Sequence, residues 1–229
     1  MNQTVIRSET AILLVGGGFS NPELLTDLTQ SCDTRVAADG GAARLLAEGI
    51  LPDAVIGDLD SLEEEARAQI PADRIHHVTE QDSTDFDKCL RSIDAPLVLG
   101  TGFLDPRIDH GLGALTVLAR HPDRRCILIG AEDAVMLAPP RLSLALPKGC
   151  RVSLWPLGPV TGRSTGLRWP IDGLHFAPDD ITGTSNEATG TVTLEMDGPR
   201  MLLILPLEAL WALRQALASA PAEWPARAG

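Results

Sequence analysis

Between Ala11 and about Leu137 the chain alternates short β-rich runs with stretches of helical spacing, and after Pro139-Pro140 the alternation stops. That rhythm restricts the fold strongly, because strand, helix and strand in close succession form the crossover of a parallel sheet. The runs are Ile12 to Val15, Arg35 to Ala38, Ala54 to Ile56, Ile75 to Val78, Leu97 to Leu99 and Cys126 to Ile129. Past the proline pair, Leu142 to Leu146, Arg151 to Trp155, Gly166 to Trp169, Gly190 to Met196 and Met201 to Leu205 read as strands divided by Gly-Pro and Asp-Gly turns, the pattern of antiparallel pairing. The expected fold is an α/β N-terminal domain with a mostly parallel sheet over residues 1–139, followed by an antiparallel β-sandwich C-terminal domain over residues 140–229. Leu207 to Leu217 has helical spacing and closes the chain, with a frayed tail expected after Ala220.

The strands of the first half deliver acids at their carboxyl ends. Asp53-Ala-Val-Ile-Gly-Asp58-Leu-Asp60-Ser61 ends an apolar run with two carboxylates two residues apart. Residues i and i+2 of a strand face the same way, so Asp58 and Asp60 are expected to share a cleft while Leu59 turns into the core. Paired carboxylates repel unless a cation sits between them, and hard oxygen ligands suit Mg²⁺. Read alone, the same Asp-x-Asp is also a turn with two solvated acids. Val36-Ala-Ala-Asp39-Gly40-Gly41, Gln81-Asp-Ser-Thr84-Asp85-Phe-Asp-Lys88 and Arg107-Ile-Asp109-His110 repeat the placement, at the edge where open α/β sheets bind ligands. Lys88 is one of two lysines in the chain and lies three residues after Asp85 on one helix face. A phosphate contact and a structural Asp-Lys pair both fit it.

Composition narrows the class. A net charge of −12 argues against nucleic acid or an anionic membrane surface as the main partner. The cysteines, Cys32, Cys89, Cys126 and Cys150, are scattered without a C-x-x-C pair, which reads as reduced, cytoplasmic thiols. No apolar run approaches the ~20 residues of a membrane span. Gly16-Gly-Gly18 lacks the G-x-G-x-x-G spacing and supports a tight turn with close backbone approach; a G-x-x-x-x-G-K-[ST] loop and a G-x-S-x-G nucleophile are absent.

Taken together, Ala38-Asp39-Gly-Gly41, Pro52-Asp53 with Gly57-Asp58-Leu-Asp60-Ser61, Gln81-Asp-Ser-Thr-Asp85-Phe-Asp-Lys88, Arg107-Ile-Asp109-His110, Gly166-Leu-Arg-Trp169 and Thr184-Ser185-Asn186-Glu187 make the chain resemble the thiamine pyrophosphokinase (thiamine diphosphokinase) family. The resemblance implies a transferase that moves the pyrophosphoryl group of Mg²⁺-ATP to the hydroxyl of thiamine and releases AMP. It implies a homodimer with active sites at the subunit interface, and no nucleic-acid or membrane partner. Carried onto this sequence, Asp58, Asp60 and Asp85 resemble the magnesium and triphosphate cluster, joined by Asp109, with Arg107 and Lys88 as phosphate contacts. Asp39, Gly40, Gly41, Ser61 and His110 surround the nucleotide in the same resemblance, and Gln81, Thr84, Trp169, Ser185 and Asn186 form the thiamine pocket. The chain departs from the pattern at Asp105-Pro106, where glycines are usual, and at Arg168, where lysine is common. Asp85 and Asp60 both remain candidates for the base that accepts the hydroxyl proton. A diphosphokinase acting on another heterocyclic alcohol, such as a hydroxymethyl pterin, would keep the acids and change the second half. A non-catalytic thiamine- or nucleotide-binding protein would have no use for them.

Overall fold

The structure, a computed structural model, describes residues 4–18, 22–221 and 223–226. The chain forms two compact units: one runs to Val117 and takes in Leu128–Ala131, and the other comprises Leu118–Ile127 with the chain from Glu132 onward.

In the first unit, β1 (Ile6–Arg7), β2 (Ile12–Val15), α1 (Pro22–Ser31), β3 (Thr34–Ala38), α2 (Gly41–Ala47) and β4 (Ala54–Gly57) follow in order. Then come α3 (Glu64–Arg67), β5 (Ile75–His77), α4 (Asp85–Ser92), β6 (Ile93–Asp94) and β7 (Val98–Thr101), followed by α5 (Ile108–Arg120) and β8 (Cys126–Ile129), each with residues in both units. β2 is flanked by β3 and β7, and β4 and β5 extend the sheet beyond β3; all four pairings are parallel. Every residue of β2, β4 and β7 is buried, as in a parallel sheet covered on both faces, where strands are continuous apolar runs. A short parallel pair, β1 with β6, lies apart from this sheet.

The chain builds β2, β3, β4 and β5 outward in one direction and then returns to β2's other side with β7. That reversal opens a crevice beyond the carboxyl ends of β2 and β7, where sheets of this kind bind ligands. The two loops above it meet backbone to backbone. A Cβ on Gly18 would lie 2.1 Å from the Asp105 carbonyl oxygen, and one on Gly16 would lie 2.7 Å from that of Gly102. Gly41 brings α2 equally close to β2, since a Cβ there would sit 1.9 Å from the Val15 carbonyl oxygen.

The second unit contains β9 (Asp133–Leu137), β10 (Arg141–Leu144), β11 (Arg151–Pro156), β12 (Gly162–Leu167), β13 (Gly183–Met196), β14 (Met201–Pro206) and α6 (Leu210–Ala218). Its pairings are antiparallel. β14 lies between β9 and β11, and the start of β13 pairs with β11. From Ala188 onward β13 pairs instead with β12 and β10, so one long strand serves two sets of partners. Leu210, Leu213 and Leu217 supply the buried face of α6.

Four details differ from the sequence reading. β9 escapes it, because Asp133–Leu137 follows β8 within a few residues and looks like a continuation of the βα rhythm. β12 ends at Leu167, so Arg168 and Trp169 leave the strand. β13 begins at Gly183 rather than Gly190, which lies inside the strand with φ of 153°. The described tail is tied rather than frayed: Trp224 Nε1 donates to the Ala138 carbonyl at 2.8 Å and Arg125 pairs with Glu223 at 2.8 Å. Residues 222 and 227–229 lie outside the described residues.

Gly41→Ala is expected to lower stability by about 1–3 kcal/mol, since neither the Val15 backbone nor the α2 start has room to yield. Gly113→Ala on α5, where a Cβ meets nothing within 4 Å, is expected to raise it by up to about 1 kcal/mol. Denaturant unfolding of both variants checks the contrast; equal effects would mean the close approach at Gly41 is not a packing constraint.

Candidate active site

A cavity of about 560 Å³ occupies the crevice, and Asp39, Asp58, Asp85, Lys88, Arg107 and Asp109 all line it. Each sits where the parallel sheet ends. Asp39 follows β3, Asp58 follows β4, Asp85 is the first residue of α4, and Asp109 lies in the first turn of α5.

Asp58 and Asp60 do converge, but by another route than expected. β4 ends at Gly57, and Leu59 takes a left-handed backbone with φ of 66°, so a turn and not a strand face brings the acids together. Leu59 is accordingly half-buried rather than turned into the core. Asp39 also has positive φ, 43°, a conformation Asp tolerates better than most residues. Its Oδ2 accepts the Ser61 N–H at 3.1 Å, while its Oδ1 is buried without a hydrogen-bond partner. Ser61 Oγ in turn donates to Asp60 Oδ1 at 2.9 Å.

One carboxylate oxygen from each of Asp39, Asp58 and Asp60 lies within 4.8 Å of the others. Burial pushes the Asp39 carboxyl up to about 6; the Ser61 amide pulls it back, and the charges of Asp85 and Asp60 add to the rise. Three hard oxygen donors, one of them buried and unsatisfied, suit a divalent cation. The geometric triad therefore includes Asp39, which the sequence reading placed beside the nucleotide, while Asp85 is tied elsewhere.

What holds Asp85 is Lys88, only 1% exposed, whose ammonium donates to Asp58 Oδ2 at 2.9 Å and to Asp85 Oδ1 at 3.1 Å. Burial opposes the lysine's charge, yet the two carboxylates outweigh it and its pKa rises. The hydrogen bond from Lys88 likewise holds the Asp58 carboxyl below its ordinary range. Gln81 Nε2 also donates to Asp58 Oδ2, at 3.3 Å. Thr84 lines the cavity and caps α4, its side chain accepting the Asp87 N–H. Arg107 forks onto Asp109 with bonds of 3.1 and 2.5 Å, which draws the Asp109 carboxyl down to about 2.

Gly40 and His110 line the cavity as well, while Gly41 packs behind it against β2. Phe103 is a lining residue absent from the sequence reading. It stands 4.7 Å, centroid to centroid, from Phe86 and gives the cavity an apolar wall. Gly102-Phe103 directly after an apolar strand was the available signal.

Trp169, Ser185 and Asn186 belong to a separate cleft of about 350 Å³ within the second unit. A bulge in β13 sets it up: Gly183 pairs with Leu154 and Asn186 with Val152, so Thr184 and Ser185 oppose Ser153 alone, and Ser185 takes φ of 59°. Asn186 is buried and spends its amide on the backbone. Its Oδ1 accepts the N–H groups of Trp169 and Glu187 at 3.2 and 2.8 Å, and its Nδ2 donates to the Trp169 carbonyl at 2.7 Å. Arg168 lies 4.8 Å over the Trp169 ring and pairs with Glu187 at 3.0 Å. The indole is 54% exposed, held from behind and open in front.

Residues 25–129, which carry the whole acidic cluster, match the family model for the thiamin pyrophosphokinase catalytic domain. Over those residues the chain is similar to the thiamine pyrophosphokinases. A relative named thiamine pyrophosphokinase 1 from Arabidopsis thaliana is 28% identical over 212 residues, covering 77% of this chain and 79% of its own. Thiamine pyrophosphokinase from Bacillus subtilis (strain 168) is 28% identical over 191 residues, with 77% and 88% covered. Among solved structures, thiamin pyrophosphokinase from Candida albicans superposes with a TM-score of 0.73 at 16% identity, covering 86% of this chain and 89% of its own. The Bacillus subtilis enzyme's structure gives 0.71 at 24%, covering 86% and 98%. At those identities the superpositions establish the fold, and the family's catalytic-domain match brings the acidic site within it.

The raised Asp39 carboxyl has a measurable consequence. Between its ordinary 3.8 and about 6 the folded chain keeps a proton that the unfolded chain releases, so stability falls as pH rises through that window. Asp39→Asn, which keeps the left-handed backbone, is expected to stabilise the metal-free protein by about 1–3 kcal/mol at pH 7 and to give no gain below about pH 4. Mg²⁺ should raise the melting temperature of the wild type and not of the variant. The same Mg²⁺ shift in both proteins would remove Asp39 from the cation site.

Proposed function

We propose that this chain transfers the pyrophosphoryl group of ATP to the hydroxyl of thiamine, giving thiamine diphosphate and AMP. The observation that carries the reading is the carboxylate triad beside Lys88, in which Asp39 is buried with one oxygen unpartnered, inside the region that matches the thiamin pyrophosphokinase catalytic domain. Asp39, Asp58 and Asp60 would hold a magnesium ion, which when bound neutralises triphosphate charge and draws electron density from the β-phosphorus.

The side chains of the chain itself do the rest. Lys88 holds the Asp58 carboxyl below its ordinary range and fixes Asp58 and Asp85 in place. Arg107 exchanges its fork on Asp109 for phosphate oxygens, a match of planar donors to a tetrahedral anion. Asp85 faces the cavity outside the oxygen triad, so it is the better placed of the two candidate bases to take the thiamine hydroxyl proton. The hydroxyl oxygen then bonds the β-phosphorus as the bond from that phosphorus to the α,β-bridging oxygen breaks, and AMP leaves.

The thiamine heterocycle falls to Gln81 and Thr84 together with Trp169, Ser185 and Asn186, and we place these last three on the opposite member of a homodimer. What supports pairing is a cleft left open to solvent, with the lining residues Trp169 and Leu174 both exposed. The antiparallel second unit is read as a β-sandwich, supported by the way β13 changes partners along its length. Four free thiols support a cytoplasmic enzyme.

Purified protein given thiamine, ATP and Mg²⁺ is expected to release AMP in step with thiamine diphosphate, and to stop in EDTA. ADP as the nucleotide product would reject the reading. For the shared site, inactive Asp58→Asn and inactive Asn186→Ala chains refolded together should recover about a quarter of wild-type activity, because half the dimers are hybrids with one intact site. No recovery, with hybrids confirmed by mass, would place each site within one subunit.

A further inference from the structure

We infer that Arg91, on the last turn of α4 and outside the cavity, is a positioning residue for the thiamine side of the site, holding the loop that presents Gln81, Ser83 and Thr84. One terminal nitrogen of its guanidinium bonds the Glu80 carboxylate and the Ser83 hydroxyl, the latter at 3.3 Å. The other lies 3.8 Å from Asp87 Oδ2, one turn back on the same helix. The side chain is 19% exposed, and its hydrogen bond is the largest influence holding the Glu80 carboxyl below its ordinary range.

The anchor is a buried helix, and the loop before it has no regular secondary structure. Phe86, Cys89 and Leu90 bury α4 against the sheet, and Thr84 caps its first turn. Between Val78, whose N–H bonds the Gly57 carbonyl, and Thr84, whose carbonyl takes the Lys88 N–H, side chains hold the loop from both sides. Gln81 reaches inward to Asp58, and Arg91 grips Glu80 and Ser83 from outside. Lysine in its place would reach one acceptor, whereas the planar fork of arginine spans several. Without that grip Gln81 has a single 3.3 Å bond to keep it at the site. The kinetic part of the claim rests on the diphosphokinase reading, which gives Gln81 to thiamine.

The test compares wild type, Arg91→Met, Arg91→Lys, Glu80→Gln and Glu80→Gln/Arg91→Met by steady-state kinetics and by amide hydrogen exchange over residues 79–84. Arg91→Met is expected to raise the KM for thiamine about tenfold, with kcat held within about threefold and the KM for ATP within about twofold. Arg91→Lys should recover part of the loss, and the double variant should be no worse than Arg91→Met, because both changes remove one contact. Exchange should quicken across the loop and not in α4. A loss confined to kcat, one that follows the melting temperature, or an additive double variant would overturn the assignment. Unchanged loop exchange would overturn it even if the wild type proved inactive towards thiamine, an outcome that counts against the functional reading instead.

Discussion

A buried ammonium requires carboxylates around it, and the requirement of Lys88 organises the first unit's site. An ion left unpaired inside a protein costs several kcal/mol, and removing one member of a buried pair typically costs about 3–5 kcal/mol. Lys88 is anchored on α4 between Phe86 and Cys89, both buried, so its acceptors must come to it. Asp85 comes from its own helix and Asp58 from the end of β4. Once Asp58 is fixed, the left-handed turn at Leu59 places Asp60 beside it, and the Ser61 amide that follows places Asp39. The cluster is thus built outward from one cation.

That cluster carries more negative charge than its own cations balance. Asp39 shows the cost most plainly, with a buried unsatisfied oxygen and a carboxyl pushed up to about 6. Backbone strain collects nearby and at the second cleft: Asp39, Leu59 and Ser185 are the non-glycine residues with positive φ among those described, and each adjoins a candidate site. Strain and charge repulsion persist where the surrounding structure over-determines them, and the fold sacrifices stability there for a prepared binding geometry.

Much of this was legible in the chain. Strands buried along their whole length are continuous apolar runs, so Ile12–Val15 and Cys126–Ile129 could be read to the residue. The acids stood out because nothing in folding asks for a carboxylate at the end of each strand. Less visible were elements defined by their neighbours. Asp133–Leu137 is a strand because β14 pairs with it, and Gly183–Glu187 because β11 does; neither segment announces that locally.

The residue types and their order determined the parallel sheet, the edge at which the acids gather and the likeness to the thiamine pyrophosphokinases, because periodicity and motif spacing are properties of the chain alone. Tertiary structure decided which acids meet. Asp39 joins Asp58 and Asp60 while Asp85 goes to Lys88, and Asn186 is spent on the backbone of Trp169. Those outcomes depend on left-handed turns, on a bulge in β13 and on which oxygen is left without a donor. Each is settled by distances between segments far apart in sequence, which no local pattern records.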